Sequence, residues 1–302
     1  MTLWNPAGIC ARTMESARTI QPGDGPYPPR LAALRDAPPS LRVAGDLAQG
    51  RARVAVVGSR AADDYGLRVA RDLAAGLARA GVSVISGGAL GIDSAAHQGA
   101  LEAGGHTVAV LGSGLDILHP GSNRELFEGI LAAGGALVSE LPDRAPAAPW
   151  TFPRRNRIVS GMSEAVVVVR AGRGSGALIT AALARRQGVP VFAVPGDVDQ
   201  PLSAGTTELL RTGARGVASA ADVLSALGIA SQPALPLPVP GDLPEEARAL
   251  LPALARAPRH ASELARAAGL APGPALAGLL ALELEGLCEQ RPGHYFLRRC
   301  QG

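Results

Sequence analysis

The chain contains no lysine: all 29 of its basic residues are arginine. That absence excludes a Walker A phosphate loop, which needs a lysine after its glycine. It also leaves any anion recognition to guanidinium groups, which bind phosphate in a fork where lysine would act as a point charge. Aromatic residues are scarce at 3%, so the core must be built from Ala, Val and Leu. Cysteine is limited to Cys10, Cys288 and Cys300, scattered and odd in number. They form neither a disulfide framework nor a metal-ligand spacing, a pattern suited to a reducing cytosol. No apolar run reaches the ~18 residues of a membrane span. Residues 1–20 lack the basic start and apolar core of a signal peptide, so a cytoplasmic protein without membrane attachment is expected. The net charge of +3 is too small to imply a polyanionic partner by itself. No G-x-S-x-G elbow occurs, and the dinucleotide fingerprint fails at Ser86-Gly-Gly-Ala-Leu-Gly91, where a serine holds the first glycine position.

What is present is a repeated strand-to-glycine pattern. Gly81 to Ile85 reads as a buried strand, and it runs into Ser86-Gly-Gly-Ala-Leu-Gly-Ile-Asp-Ser-Ala-Ala-His97. Such a turn has two readings. One is an anion cradle, in which glycine backbone and unpaired helix N–H groups face a ligand. The other is a tight strand-to-helix turn with Asp93 as N-cap. Val54–Val57 runs into Gly58-Ser59-Arg60 in the same way, as do Thr107–Leu111 into Gly112, Ala165–Val169 into Ala171-Gly-Arg-Gly-Ser-Gly176, and Val189–Val194 into Pro195-Gly196. In an open parallel sheet these loops share the carboxyl edge, where ligands bind.

Residues 1–26 are expected to be poorly structured, and Leu41 to Ala44 to be an edge strand, since Pro38-Pro39 stands just before it. From there strands and helices alternate to about residue 229, the pattern of a doubly wound α/β domain. Helices are expected over Gly66–Ala80, Asp93–Ala103, Asn123–Ala133, Gly176–Gln187, Thr206–Thr212 and Ala220–Leu227. Residues 230–244, with five prolines, read as a semi-extended linker. Residues 245–302 read as a second unit of three amphipathic helices and a hairpin, a winged helix. Its third helix, Pro274 to Glu285, has Glu283 and Glu285 and no arginine, which favours protein docking over DNA reading; Arg291, Arg298 and Arg299 in the wing offer only weak phosphate contact.

A second informative stretch is Phe152-Pro-Arg-Arg-Asn-Arg-Ile-Val-Ser-Gly161. Pro153 is read as an extended entry and Asn156 as the cap of a short helix. Arg154, Arg155 and Arg157 at a helix start oppose the helix dipole, a conflict that a phosphate would remove. A solvated basic turn is the competing reading. Phe152 is either core or a platform for a base. His97 and Asp93 stand one helical turn apart and read as a local hydrogen-bonded pair.

Gly58-Ser-Arg60, Tyr65-Gly66, the Ser86–His97 stretch, Phe152-Pro153 with Arg155–Gly161, Ser175–Ala181, Val191–Gly196 and Gly213-Ala214 occur in an order that resembles the DNA-processing protein A (DprA/Smf) family. So does Tyr27-Pro-x-x-Leu31 with Pro38-Pro39. The resemblance covers about residues 27–220. It implies an extended Rossmann-like domain, a mostly parallel doubly wound sheet, followed by a small winged helix. It implies a non-catalytic homodimer that binds single-stranded DNA and loads a RecA-type recombinase during natural transformation and recombination, with no cofactor and no metal. The DNA pocket it points to is Ser59, Arg60, Ser86, Gly87, Arg155, Asn156 and Arg157, with Phe152 as the stacking candidate, and Gly58, Gly88, Gly91, Arg154 and Ser175 from the same stretches complete the expected DNA-binding set. Leu209 and Leu210 are candidates for the dimer contact, with burial in the core as the competing reading. The stretch Leu115-Asp-Ile-Leu-His119-Pro-Gly121 lacks the basic residue many members carry after the proline, and whether Arg124 replaces it is open. The alternative function is a nucleotide- or phosphoribosyl-processing enzyme using the same glycine loops. Against it, eight residues separate Pro195-Gly196 from Gly205-Thr206, although Glu208 follows.

Overall fold

The computed structural model describes residues 17–229, 243–255 and 257–298. Residues 230–242 of the expected linker, most of the expected unstructured N-terminal segment, Cys10, Arg299 and Cys300 lie outside the described residues. The chain divides into two compact units, Met1–Ser231 and Gln232–Gly302.

In the first unit the strands are β1 (Arg18–Ile20), β2 (Leu41–Gly45), β3 (Arg53–Val57), β4 (Ser83–Ser86), β5 (Thr107–Val110), β6 (Ala136–Ser139), β7 (Ala165–Val168), β8 (Val191–Ala193) and β9 (Arg215–Gly216). The helices are α1 (Pro29–Ala32), α2 (Asp64–Arg79), α3 (Ile92–Glu102), α4 (Arg124–Ala132), α5 (Thr151–Gly161), α6 (Gly176–Arg186), α7 (Ala204–Arg211) and α8 (Ala220–Ala226). The nine strands form one sheet in the order β1-β2-β6-β5-β4-β3-β7-β8-β9. Strands β6 through β9 in that order pair in parallel, and β2 joins β6, and β1 joins β2, antiparallel.

Strand β3 shows why the sheet is buried on both faces. Ala55 and Val57 point into one apolar layer with Ile85, Val108 and Val166; Val54 and Val56 point into the other with Val84, Val167 and the α2 residues Leu73 and Leu77. A strand that must be apolar on both sides reads as a continuous run, which is how these strands look in the sequence. The chain leaves β3 toward β4 on one side, and leaves β7 toward β8 on the other. The loops after β3 and β7 therefore part company, and the crevice between them is the topological switch point of the sheet.

Three expectations change here. The chain is ordered before Tyr27, because Arg18–Ile20 forms the edge strand. Only Ile20 of its three residues is buried, so apolar periodicity gives no sign of it. The Leu41 strand is internal, paired on both sides, since Pro38 and Pro39 stop short of it and remove none of its ladder donors. Leu209 is buried in the core, the competing reading given for it, whereas Leu210 packs against the same core and keeps part of its surface exposed, so of the two only Leu210 stays available for a dimer contact.

In the second unit, α9 (Glu245–Leu250), α10 (Ala261–Ala267) and α11 (Pro272–Leu284) pack with a three-stranded sheet of β10 (Arg259–His260), β11 (Cys288–Arg291) and β12 (Tyr295–Arg298), ordered β10-β12-β11. Leu250, Leu264, Leu279, Leu282 and Phe296 form its core. This is a winged helix. Among the described residues no single helix is long and apolar enough to cross a membrane.

Candidate nucleic-acid interface

A cavity of about 540 Å3 opens at the switch point. Gly58, Ser59 and Arg60 from the β3 loop, Gly87 from the β4 loop, Phe152, Arg155 and Asn156 from α5, and Gly172 to Ala177 from the β7 loop contribute to its walls, Arg173 excepted. Two backbone bonds fix the β3 loop: Ser59 N–H donates to the Arg170 carbonyl (2.7 Å), and Ile92 N–H donates to the Ser59 carbonyl (3.2 Å). The second is possible because Gly91, at φ +78°, has no Cβ; one placed there would collide with the Ser59 carbonyl. Arg170 holds the same loop from below. Its guanidinium donates to both Asp63 carboxylate oxygens (3.1 and 2.9 Å) and stacks on Tyr65, 4.5 Å from the ring centroid. Asp63 is also the N-cap of α2, accepting from Gly66 N–H at 2.9 Å.

The Ser86–His97 stretch meets part of its own hydrogen-bonding need from within the fold, while Gly87 and Ala89 still line the cavity. Gly87 and Ala89 donate to the buried Asp93 carboxylate (3.1 and 3.4 Å), and Ser94 donates to the Ala89 carbonyl (3.1 Å). The fold supplies its own anion there. Helix α3 begins one residue before Asp93, with Gly91 as N-cap, so Asp93 caps the preceding loop and not the helix. Ser86 is fully buried and donates to the Val56 carbonyl at 2.7 Å, tying β4 to β3. The Gly88 carbonyl accepts from Asn123, at 2.9 Å, and a Cβ on Gly88 would strike Phe127. Neither Ser86 nor Gly88 faces the cavity. His97 does not pair with Asp93; its Nδ1 meets the Thr107 hydroxyl at 2.7 Å.

The arginines separate sharply. Helix α5 begins at Thr151, earlier than expected. Pro153 is its third residue, tolerated because first-turn N–H groups have no helical partner anyway. Asn156 is therefore mid-helix, not a cap, and its side chain reaches the Gly176 carbonyl (3.4 Å) and Arg155 Nε (3.3 Å). Arg155 is buried under the β4 loop, where its guanidinium donates to the Gly87 and Val110 carbonyls. Burial pulls its pKa down to about 10, against the opposing attraction of Asp93. Burial conversely pushes the Asp93 carboxyl up, with Arg155 opposing. Arg154 and Arg157 are both committed to the Glu140 carboxylate, Arg154 through two bonds of 3.0 Å and Arg157 through one of 2.6 Å, and neither lines the cavity.

Arg60 alone of the four keeps an exposed guanidinium with no carboxylate partner among the described residues. It lies 4.8 Å over the Phe152 ring, and His119 sits against Phe152 with its ring centroid 5.6 Å away. Phe152 is thus a half-exposed platform. Gly91 and Arg60 also border an adjacent cavity of about 570 Å3. Ser175 caps α6, accepting from Ala177 N–H at 3.3 Å, so this helix opens toward the first cavity. Two residues were passed over in the sequence. Glu140 follows β6, a strand preceded by Gly134-Gly135, and sequesters two arginines. Arg173 stands exposed between Gly172 and Gly174 at the cavity rim.

An open sheet with a glycine-lined crevice at its switch point, one aromatic-stacked arginine at the mouth and a helix N-terminus in the wall defines a Rossmann-like protein. Residues 18–228 match the family described as DNA recombination-mediator protein A, and residues 232–294 match the DprA winged helix domain. The chain belongs to the DprA family. Protein Smf of Escherichia coli is 44% identical over 202 residues, covering 67% of this chain and 54% of that protein. Protein Smf of Synechocystis is 35% identical over 318 residues, covering 93% and 80%. The chain thus spans about half the length of the first of these relatives. Among solved structures, DNA processing protein A from Streptococcus pneumoniae superposes with a TM-score of 0.66 at 36% identity, covering 74% of this chain and 78% of that one. DNA processing protein A from Helicobacter pylori, whose structure is described as giving insight into a unique single-stranded DNA binding mode, superposes with a TM-score of 0.63 at 29% identity, covering 70% and 95%.

Proposed function

We propose that this chain binds single-stranded DNA at the switch-point cavity, without catalysis, and acts in the cytoplasm as a homodimeric mediator that loads a RecA-type recombinase in transformation and recombination. The observation that carries the binding site is the Arg60–Phe152 pair: a cation with no carboxylate partner among the described residues, on a half-exposed aromatic ring beside the N-terminus of α6. A strand crossing it sets a phosphate against Arg60 and a base against Phe152, a sequence-tolerant mode because every base has a π face. Gly58, Ser59, Gly87, Asn156 and Ser175 shape the crevice. The Glu208 that a phosphoribosyl hydrolase reading would need is paired with Arg211 at 3.1 Å and lies outside the cavity wall, which supports binding over turnover.

Arg60→Ala is expected to weaken oligo-dT binding about tenfold or more, ~1.4 kcal/mol. It should lower the slope of log affinity against log salt by about 0.7, one phosphate's share on a single strand. Arg186→Ala, at the C-terminal end of α6 and so at the opposite edge of the sheet, serves as the control. Fluorescence anisotropy across a salt series reads both quantities. Wild-type affinity with an unchanged slope in Arg60→Ala would move the strand off this cavity. A chain ending at residue 231 should still bind within about tenfold, ~1.4 kcal/mol, because the cavity draws only on the first unit. A folded truncation that no longer binds would make the winged helix part of the DNA site.

A further inference from the structure

Helix α11 is apolar on two faces. Ala275, Gly278, Leu279 and Leu282 are buried in the core of the second unit. The other face carries Leu276, Leu280 and Leu284, exposed at 42%, 52% and 83%. A helix apolar all round is one that expects to be covered. The helix has no Arg, Lys, Asn or Gln along Pro272–Leu284, so it lacks the groups that read base edges in a groove.

The uncovered stripe is self-complementary. Its exposed members Gly273, Ala277, Leu280 and Leu284 recur at steps of four, three and four, the seam of paired helices, with Leu276 beside Ala277. In an antiparallel pair Leu276 falls opposite the partner copy's Ala281. Run antiparallel about a two-fold axis, Gly273 falls opposite Leu284 of the partner copy, and Ala277 opposite the partner's Leu280. Large side chains meet small ones at every step, as packing requires. The charges fit the same arrangement. Glu285 is exposed just past the C-terminal end of α11, where it opposes the helix dipole, and Glu283 nearby accepts from Gln290 N–H at 3.0 Å. Antiparallel pairing brings the positive N-terminal end of the second helix beside them, and Glu285 falls opposite the partner's Pro272 in its first turn. We propose that the α11 stripe is a two-fold interface between winged-helix units of two copies of this chain, a contact separate from the DNA cavity.

The register is testable in the full-length protein. Cys10 and Cys300 are replaced by serine, and the buried Cys288 is kept. Into this background go Gly273→Cys and Leu284→Cys together. Gly273 accepts the change, because a Cβ there meets nothing within 4 Å. The two positions are about 16 Å apart along one helix, so they do not close on each other within a chain. Under mild oxidation at micromolar concentration the double variant is expected to run mostly as a covalent dimer, reversed by dithiothreitol. Either single variant should stay monomeric on the same gel, since like positions are also about 16 Å apart in the pair. Adding Leu280→Arg should abolish the cross-link while leaving oligo-dT affinity unchanged. A double variant that binds oligo-dT normally yet forms no covalent dimer overturns the interface. Equal cross-linking by Leu284→Cys alone overturns the antiparallel register. Loss of DNA binding in Arg60→Ala bears on neither result.

Discussion

Arg155→Met is expected to destabilise the first unit by about 3–5 kcal/mol, the cost of breaking a buried charge pair from one side. Methionine keeps much of the volume but none of the donors. The Gly87 and Val110 carbonyls lose their partner, and the fully buried Asp93 loses the cation opposite it. The β4 loop is most affected, because Gly87 both donates to Asp93 and accepts from Arg155. Gly87 has no alternative: a Cβ there would sit on the Arg155 guanidinium. Adding Asp93→Asn should cost less than the sum of the two single changes, with a coupling of about 0.5–3 kcal/mol, since the pair acts as a unit. Urea denaturation of the four proteins of the cycle measures this. A single-variant loss under about 1 kcal/mol would put Arg155 on the solvent side, because surface substitutions fall in that range. The folded fraction of Arg155→Met should keep the wild-type salt slope for oligo-dT, since a guanidinium already bonded to carbonyls releases no counterion when DNA arrives.

Arg60 and Arg155 show where the sequence stops being informative. The glycine loops, the strand runs into them and the winged helix were legible, because they are set by local propensity and apolar period. The four arginines were not distinguishable, because each stands after a turn in a basic, polar stretch. What separates them is distant in sequence. Glu140 takes Arg154 and Arg157, and the carbonyls of Gly87 and Val110 take Arg155. The same holds for the loop at Ser86. Spacing suggested unpaired N–H groups for an outside anion, yet Asp93, four residues past Ala89, folds back and takes the Gly87 and Ala89 N–H groups itself. Edge strand β1 was invisible because two of its three residues are exposed.

His97 gives the first unit a pH-dependent stability. It is fully buried, and burial first, with the nearby positive Arg155 second, holds its pKa down to about 3 from 6.5. The hydrogen bonds fix the tautomer. Thr107 Oγ1 donates to the Val84 carbonyl at 2.7 Å, so it accepts from His97 Nδ1–H. Nε2 then carries a bare lone pair, buried and without a partner among the described residues. Protonating it places a charge in an apolar pocket that already holds a guanidinium. The folded state therefore needs neutral His97, whereas the unfolded chain takes up a proton below its ordinary pKa of about 6.5. Stability from this residue is complete above pH 6.5 and is lost as the pH falls toward 3. At pH 4.5, two units below the unfolded value, the loss is about 2.7 kcal/mol. Asp93, with its raised pKa, contributes with the opposite sign at the acid end, and Asp63 and His106 add their own shifts. All three are common to wild type and His97→Gln, so the comparison removes them. Urea midpoints at pH 7 and pH 4.5 should show the wild type losing about 2.7 kcal/mol more than the variant over that interval. Equal losses in the two proteins would mean that His97 is free to protonate in the folded state, and the buried pocket described for it would be wrong.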